Sequence, residues 1–79
     1  MDLAELRSAL AAEGIDPRSY SVDSARSDET YVLERNGNVW DVYYFERGLR
    51  SGLRSFETEE QAARQLFSLL VGDDGAHLA

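Results

Sequence analysis

The chain has no cysteine, no lysine, one proline, one histidine and one tryptophan in 79 residues. With no cysteine there are no disulfides and no thiolate metal sites, so a small core must hold by packing or by self-association. The same lack fits a reducing cytoplasm. Arginine is the only base: eight arginines face fifteen carboxylates, for a formal net charge of −7. Binding to nucleic acid through phosphate neutralisation needs clustered cations, which this balance argues against. A basic protein partner is a better complement, while an acidic surface also serves solubility by itself. No apolar run is long enough to span a membrane, and the amino terminus lacks the basic-then-apolar order of a cleavable signal. The expectation is a cytoplasmic protein with neither nucleic acid nor membrane among its partners.

Within those limits the plainest feature is the stretch from Thr30 to Glu46, which reads TYVLER, then Asn36-Gly37, then NVWDVYYFE. Two runs rich in β-branched and aromatic residues, joined by Asn-Gly, predict a β-hairpin with Asn36-Gly37 at the centre of a type I′ turn. Counting outward from that turn pairs Leu33 with Trp40 and Tyr31 with Val42. One face then carries Tyr31, Leu33, Trp40, Val42 and Tyr44, all apolar or aromatic, and is the core side. The other carries Val32, Glu34, Val39, Asp41, Tyr43 and Phe45. A solvated sheet face seldom shows a Tyr beside a Phe. That mixed face is therefore the candidate docking surface, with Val32, Glu34, Asp41, Tyr43 and Phe45 as its partner-binding residues.

The flanking segments predict an α+β domain over residues 1–72: an N-terminal helix, a three-stranded antiparallel meander, and a C-terminal helix packed on one sheet face. Asp2, with Glu5 three residues on, starts a helix that runs to Glu13 and leaves at Gly14. Its stripe of Leu3, Leu6 and Leu10 is narrow, as for a lid. Asp16-Pro17 marks a turn, Ile15 and Tyr20 anchor the next segment, and Tyr20 and Val22 have the period of a short strand. Ser21 to Glu29 otherwise reads as an exposed loop. The tetrapeptide Gly-Leu-Arg-Ser occurs twice, at 48–51 and 52–55. A connection across Gly48 to Gly52 frees Leu53 to Phe56 as the third strand, with Leu53 on the core face. Thr58 and Gln61 form a capping-box pattern before a helix from Glu59 to Val71, whose arc of Ala62, Ala63, Leu66, Phe67, Leu69, Leu70 and Val71 makes it the principal helix. Residues 73–79 are small and polar and read as a disordered tail.

Chemistry-bearing patterns are sparse. The one histidine, His77, falls in the tail, where an imidazole cannot hold the geometry of a general base. The serines have no ordered histidine to activate them, and no Gly-x-Ser-x-Gly elbow or phosphate-cradling loop occurs. Glu34 and Asp41 lie across the hairpin on one face, as paired carboxylates of a glycosidase or metal site do. An ordinary ion pair with Arg54 on the adjacent strand is the plainer explanation. Arg47, Arg50 and Arg54 gather positive charge near Tyr43 and Phe45, a combination that single-strand binders use, but the rest of the chain repels polyanions. These readings predict a protein that is not an enzyme and that needs no cofactor or metal.

The stretches Trp40-Asp-Val-Tyr-Tyr-Phe-Glu-Arg-Gly48, Gly52-Leu-Arg-Ser-Phe56 and Thr58-Glu-Glu-Gln-Ala-Ala63, with Ser19-Tyr-Ser21 and Tyr31-Val-Leu-Glu34 upstream, resemble a group of small actinobacterial domains. Their pattern is Trp-x-Val-[Tyr/Phe]-x-x-Glu-Arg-Gly, a second Gly, then Phe-x-[Thr/Ser]-Glu-x-x-Ala, and the likeness covers about residues 14 to 71. Such domains are similar to small proteins encoded beside, or segments joined to, actinobacterial secreted toxins, including those with an NAD-glycohydrolase domain. The resemblance implies an immunity-like or toxin-accessory role and a toxin domain as partner, with motifs that are structural rather than catalytic. Ala63 stands where that group often has a cysteine, which marks a packing position. The alternative is a self-associating, homodimeric domain in which Val32, Tyr43 and Phe45 bury one another across a two-fold axis.

Overall fold

The computed structural model describes residues 1–22 and 28–72. Its elements run α1 (Leu3–Ala12), a 3-10 turn (Pro17–Ser19), β1 (Tyr20–Val22), β2 (Thr30–Asn36), β3 (Val39–Glu46), β4 (Leu49–Phe56) and α2 (Glu59–Val71). Both helices start where their caps predict. Asp2 accepts from the Glu5 N–H at 2.8 Å while Glu5 accepts from the Asp2 N–H at 2.9 Å, completing the box. Thr58 accepts from the Gln61 N–H at 3.1 Å, which is half of the reciprocal pattern expected there. Helix α2 closes on Gly72, whose left-handed backbone lets its N–H reach the Ser68 carbonyl at 2.7 Å. The residues read as a tail, Asp73, Asp74 and His77 among them, lie outside the described residues.

The sheet has four strands in the order β1-β2-β3-β4, with β1 parallel to β2 and the other neighbours antiparallel. The fold class is α+β as expected, but the sheet is mixed rather than a three-stranded meander. The added strand is three residues long and gains its order from Tyr31, Val32 and Leu33 beside it, a pairing between segments eleven residues apart that local pattern does not reveal. Ser21 and Val22 are accordingly buried instead of lying in an exposed loop. The rest of that predicted loop is split: Asp28 and Glu29 form an exposed turn, and residues 23–27 lie outside the described residues.

The hairpin turn is centred on Gly37-Asn38, one residue later than the Asn-Gly pair suggests. Gly37 has φ 63° and Asn38 has no positive φ, the pattern of a type II′ turn with glycine first. Asn36 thereby stays in β2, where its amide reaches Asp41 at 3.1 Å. Leu33 now faces Val42 and Tyr31 faces Tyr44. The pairing has moved by two positions, an even number, so every side chain keeps its predicted face.

The second hairpin turns at Arg47-Gly48, both with positive φ (53° and 76°), and not across Gly48 to Gly52. Strand β4 therefore begins early and must absorb Gly52. It does so as a bulge: Ser51 faces Tyr44 and Arg54 faces Val42, so Gly52 and Leu53 together oppose Tyr43. Gly52 has φ 64°, the left-handed conformation this bulge requires at its first residue. The extra residue puts Arg54, not Leu53, opposite Val42. Leu53 is 43% exposed rather than part of the core.

The core lies between the helices and the predicted apolar face. Leu6 and Leu10 of α1 meet Ala62, Ala63 and Leu66 of α2 over Val22, Leu33 and Val42, and Tyr31, Trp40 and Phe56 pack at the margin. With both of its central leucines fully buried, α1 is a working part of this core rather than a lid. Its first N–H, which has no partner within the helix, donates to Glu59 at the start of α2 (2.8 Å), and Arg7 donates to the Val22 carbonyl (3.1 Å). Leu69, counted in the apolar arc of α2, is left 39% exposed.

Two substitutions test this packing by urea denaturation. Leu66→Ala should remove about 2–5 kcal/mol from a total of roughly 4–12 kcal/mol for a chain of this length, a large share of the stability and, at the low end of that total, enough to unfold the chain. Gly52→Ala has open space for its methyl group and should still lose about 1–2 kcal/mol, because the penalty is left-handed backbone and not crowding. A neutral Gly52→Ala would remove the bulge from the description.

Candidate functional site

The residues singled out on the mixed face do come together. Val32 faces Tyr43, Glu34 faces Asp41, and Phe45 sits at the Thr30 end of the same ladder. Their exposure differs from the expectation of an open surface. Val32, Tyr43 and Asp41 are 0%, 1% and 2% exposed, while Glu34 and Phe45 are half-buried. Three of the five are thus closed off within the single chain. Thr30 and Ser21, on the same face, are buried as well.

Asp41 is the polar centre of this face. One carboxylate oxygen accepts from the Ser55 hydroxyl at 2.6 Å and the other from the Asn36 amide at 3.1 Å. One side chain therefore joins β2, β3 and β4. The expected ion pair with Arg54 does not form, because the bulge brings Ser55 opposite Asp41 and turns Arg54 to the helix side, where its guanidinium lies 5.7 Å from the Phe56 ring centre. With both oxygens engaged and little solvent access, Asp41 is placed to fix strand register. Among the described residues no group of three or more His, Cys, Asp or Glu side chains is positioned to hold a metal ion.

The openly exposed part of the sheet is β4, an edge strand that is exposed from Leu49 through Ser55. Leu49, at 69%, is the most exposed large apolar residue described. Arg50 lies 5.2 Å from the Tyr43 ring centre on the mixed face, and Arg54 lies over Phe56 on the helix face. The two arginines thus flank the edge from opposite sides. Neither they nor Arg47 form an ion pair among the described residues. Leu49 and Leu53 were not singled out as site residues from sequence. The available signal was the doubled Gly-Leu-Arg-Ser, whose two copies each open on a glycine of positive φ and then run along the edge.

Tyr31 and Tyr44 stack across the hairpin at 4.9 Å between ring centres, tilted by 58°. Burial first, then the carboxylates of Glu46 and Glu29, hold the Tyr44 phenol above its ordinary value of 10.0. Comparisons with protein-family models, with curated proteins and with solved structures each find no match for this chain.

The structural role of Asp41 has a direct check. Asp41→Ala leaves the Ser55 hydroxyl and the Asn36 amide without their acceptor and should destabilise by about 1.5–3 kcal/mol, the range for hydrogen bonds to a charged group. Glu34→Gln, on the same face but half-buried, should stay within about 0.5 kcal/mol. Equal effects in denaturant melts would contradict the assignment. Alkaline titration tests Tyr44: a raised pKa means that the fold favours the neutral phenol, so that stabilisation is present below the unfolded value and is lost as pH climbs through the folded one. Tyr44→Phe should remove tyrosinate absorbance that rises above the ordinary phenol range; an unchanged late part of the curve would contradict the raised value.

Proposed function

We propose that this chain is a non-enzymatic protein-binding module acting in the cytoplasm, with an immunity-like or toxin-accessory role as the narrower form that its resemblance implies. The observation that carries the reading is the open β4 edge. An eight-residue edge strand has no strand paired to its outer side among the described residues, and Leu49 and Leu53 put apolar surface beside it. The bulge and the arginines of β4 blunt such an edge against unselective pairing but leave it able to take a backbone whose side chains complement them. The engagement of Asp41 by Ser55 and Asn36 favours binding over carboxylate chemistry, since a general acid or base needs access to its substrate. On the mixed face, Glu34 and Phe45, both half-buried, remain the residues that a partner reaches, while Val32 and Tyr43 lie buried between them and Asp41 lies buried beside Glu34.

The homodimer reading has less behind it. Val32 and Tyr43 are already closed off in one chain, so stacking two mixed faces hides little more of them. Pairing two β4 edges about a two-fold axis sets arginine against arginine. Light scattering at high concentration should therefore give the mass of one chain, and a stable dimer would favour self-association instead. Co-expression with the product of the neighbouring gene tests the narrower reading. A complex that co-elutes and protects the cell supports it; no complex and no protection would end it.

A further inference from the structure

Resting on the protein-binding reading, we infer that β4 takes up an extended acidic segment of a partner as a fifth strand of the sheet, its carboxylates spaced an odd number of residues apart. In an antiparallel edge strand every second residue directs its N–H and C=O away from the sheet, so the outer side of β4 is a ready ladder for another backbone. Charge selects what docks there. Arg50 and Arg54 stand at the middle of the edge, exposed and without ion pairs among the described residues, on a chain whose net charge is −7. At physiological ionic strength the screening length is about 8 Å, so a docking strand responds to these two guanidiniums more than to carboxylates across the molecule. A second copy of β4 would bring its own arginines against them.

The bulge adds a spacing rule. Arg50 lies on the mixed face and Arg54 on the helix face. Side chains of a regular strand alternate between faces, so two carboxylates that meet both arginines must be separated by an odd number of positions. On β3, which already pairs with this strand, the residues opposite Arg50 and Arg54 are Phe45 and Val42, three apart. A docking strand with the same phase carries acidic residues at positions i and i+3.

Synthetic ten-residue peptides of alternating threonine and valine, bearing two glutamates either three or four residues apart, test this against the isotopically labelled full chain. The three-apart peptide should shift the amide resonances of Leu49 to Phe56 and slow exchange of the outward β4 amides. The four-apart peptide should bind weaker by up to about fivefold, the size expected when one exposed ion pair is lost, and a glutamine version of the first, which loses both, should bind weaker still. Arg50→Glu with Arg54→Glu should abolish the response, and the milder Arg50→Gln with Arg54→Gln should weaken it with the fold intact by its amide spectrum. Equal binding of the two spacings, shifts centred elsewhere, or no binding would overturn the inference. If a partner protein binds the charge-reversed chain as well as the native one, the edge assignment fails while the module reading stands. If the peptide binds as described but no protein partner forms a complex, the module reading fails and the edge assignment stands.

Discussion

One extra residue in β4 sets the phase in which the end of that strand meets β3. Between the Tyr44–Ser51 and Val42–Arg54 pairs, β3 uses one residue and β4 uses two, and Gly52 makes this possible by adopting φ 64°. Everything beyond that point is turned over relative to an unbroken ladder. Ser55 meets Asp41, so a small hydroxyl and not a guanidinium donates to the closed-off carboxylate, beside the Asn36 amide. Arg54 moves to the helix side and lies on Phe56, and Leu53 is released to the edge. A single backbone irregularity thus decides both what is buried and what is offered outward.

A chain this short, without cysteine, gains from using both faces of its sheet. On the helix side Leu33 and Val42 join Leu6, Leu10, Ala62, Ala63 and Leu66 in one apolar cluster. On the mixed side Val32 and Tyr43 are closed off around the Asp41 hydrogen bonds. Strand β3 is therefore buried through its centre on both faces, while β4 carries the exposure. The polar and apolar parts support each other: bonds from Asn36 and Ser55 hold register on one face, and burial of Val42 on the other face resists the slip that would break them.

Much of the frame was legible in the residues. Asp2 with Glu5, and Thr58 with Gln61, announce the helix starts because caps are local hydrogen-bond chemistry. The face assignment of Tyr31, Leu33, Trp40 and Val42 survived a misplaced turn because the displacement was even. The strand period of Tyr20 and Val22 was legible, but the parallel pairing of β1 with β2 was not, because it joins segments eleven residues apart. The bulge was hidden because a glycine in a repeated Gly-Leu-Arg-Ser reads equally well as a turn, and only the pairing with β3 separates the two. That ambiguity also displaced the site: the aromatic face looked open from its composition, whereas Val32, Asp41 and Tyr43 are sealed and the exposed residues belong to the strand whose phase was misread.

Function follows from where that phase change leaves the surface. With the mixed face largely closed, the β4 edge and its two arginines are the exposed part of the sheet, and it is there that the proposed partner would dock. The pairing across the bulge is measurable directly by nuclear Overhauser contacts between β3 and β4. Contacts that set Asp41 opposite Ser55 and Val42 opposite Arg54 are expected. Contacts that set Asp41 opposite Arg54 and Val42 opposite Leu53 would mean an unbroken ladder, with the arginine paired to the carboxylate, and would contradict the edge surface described above.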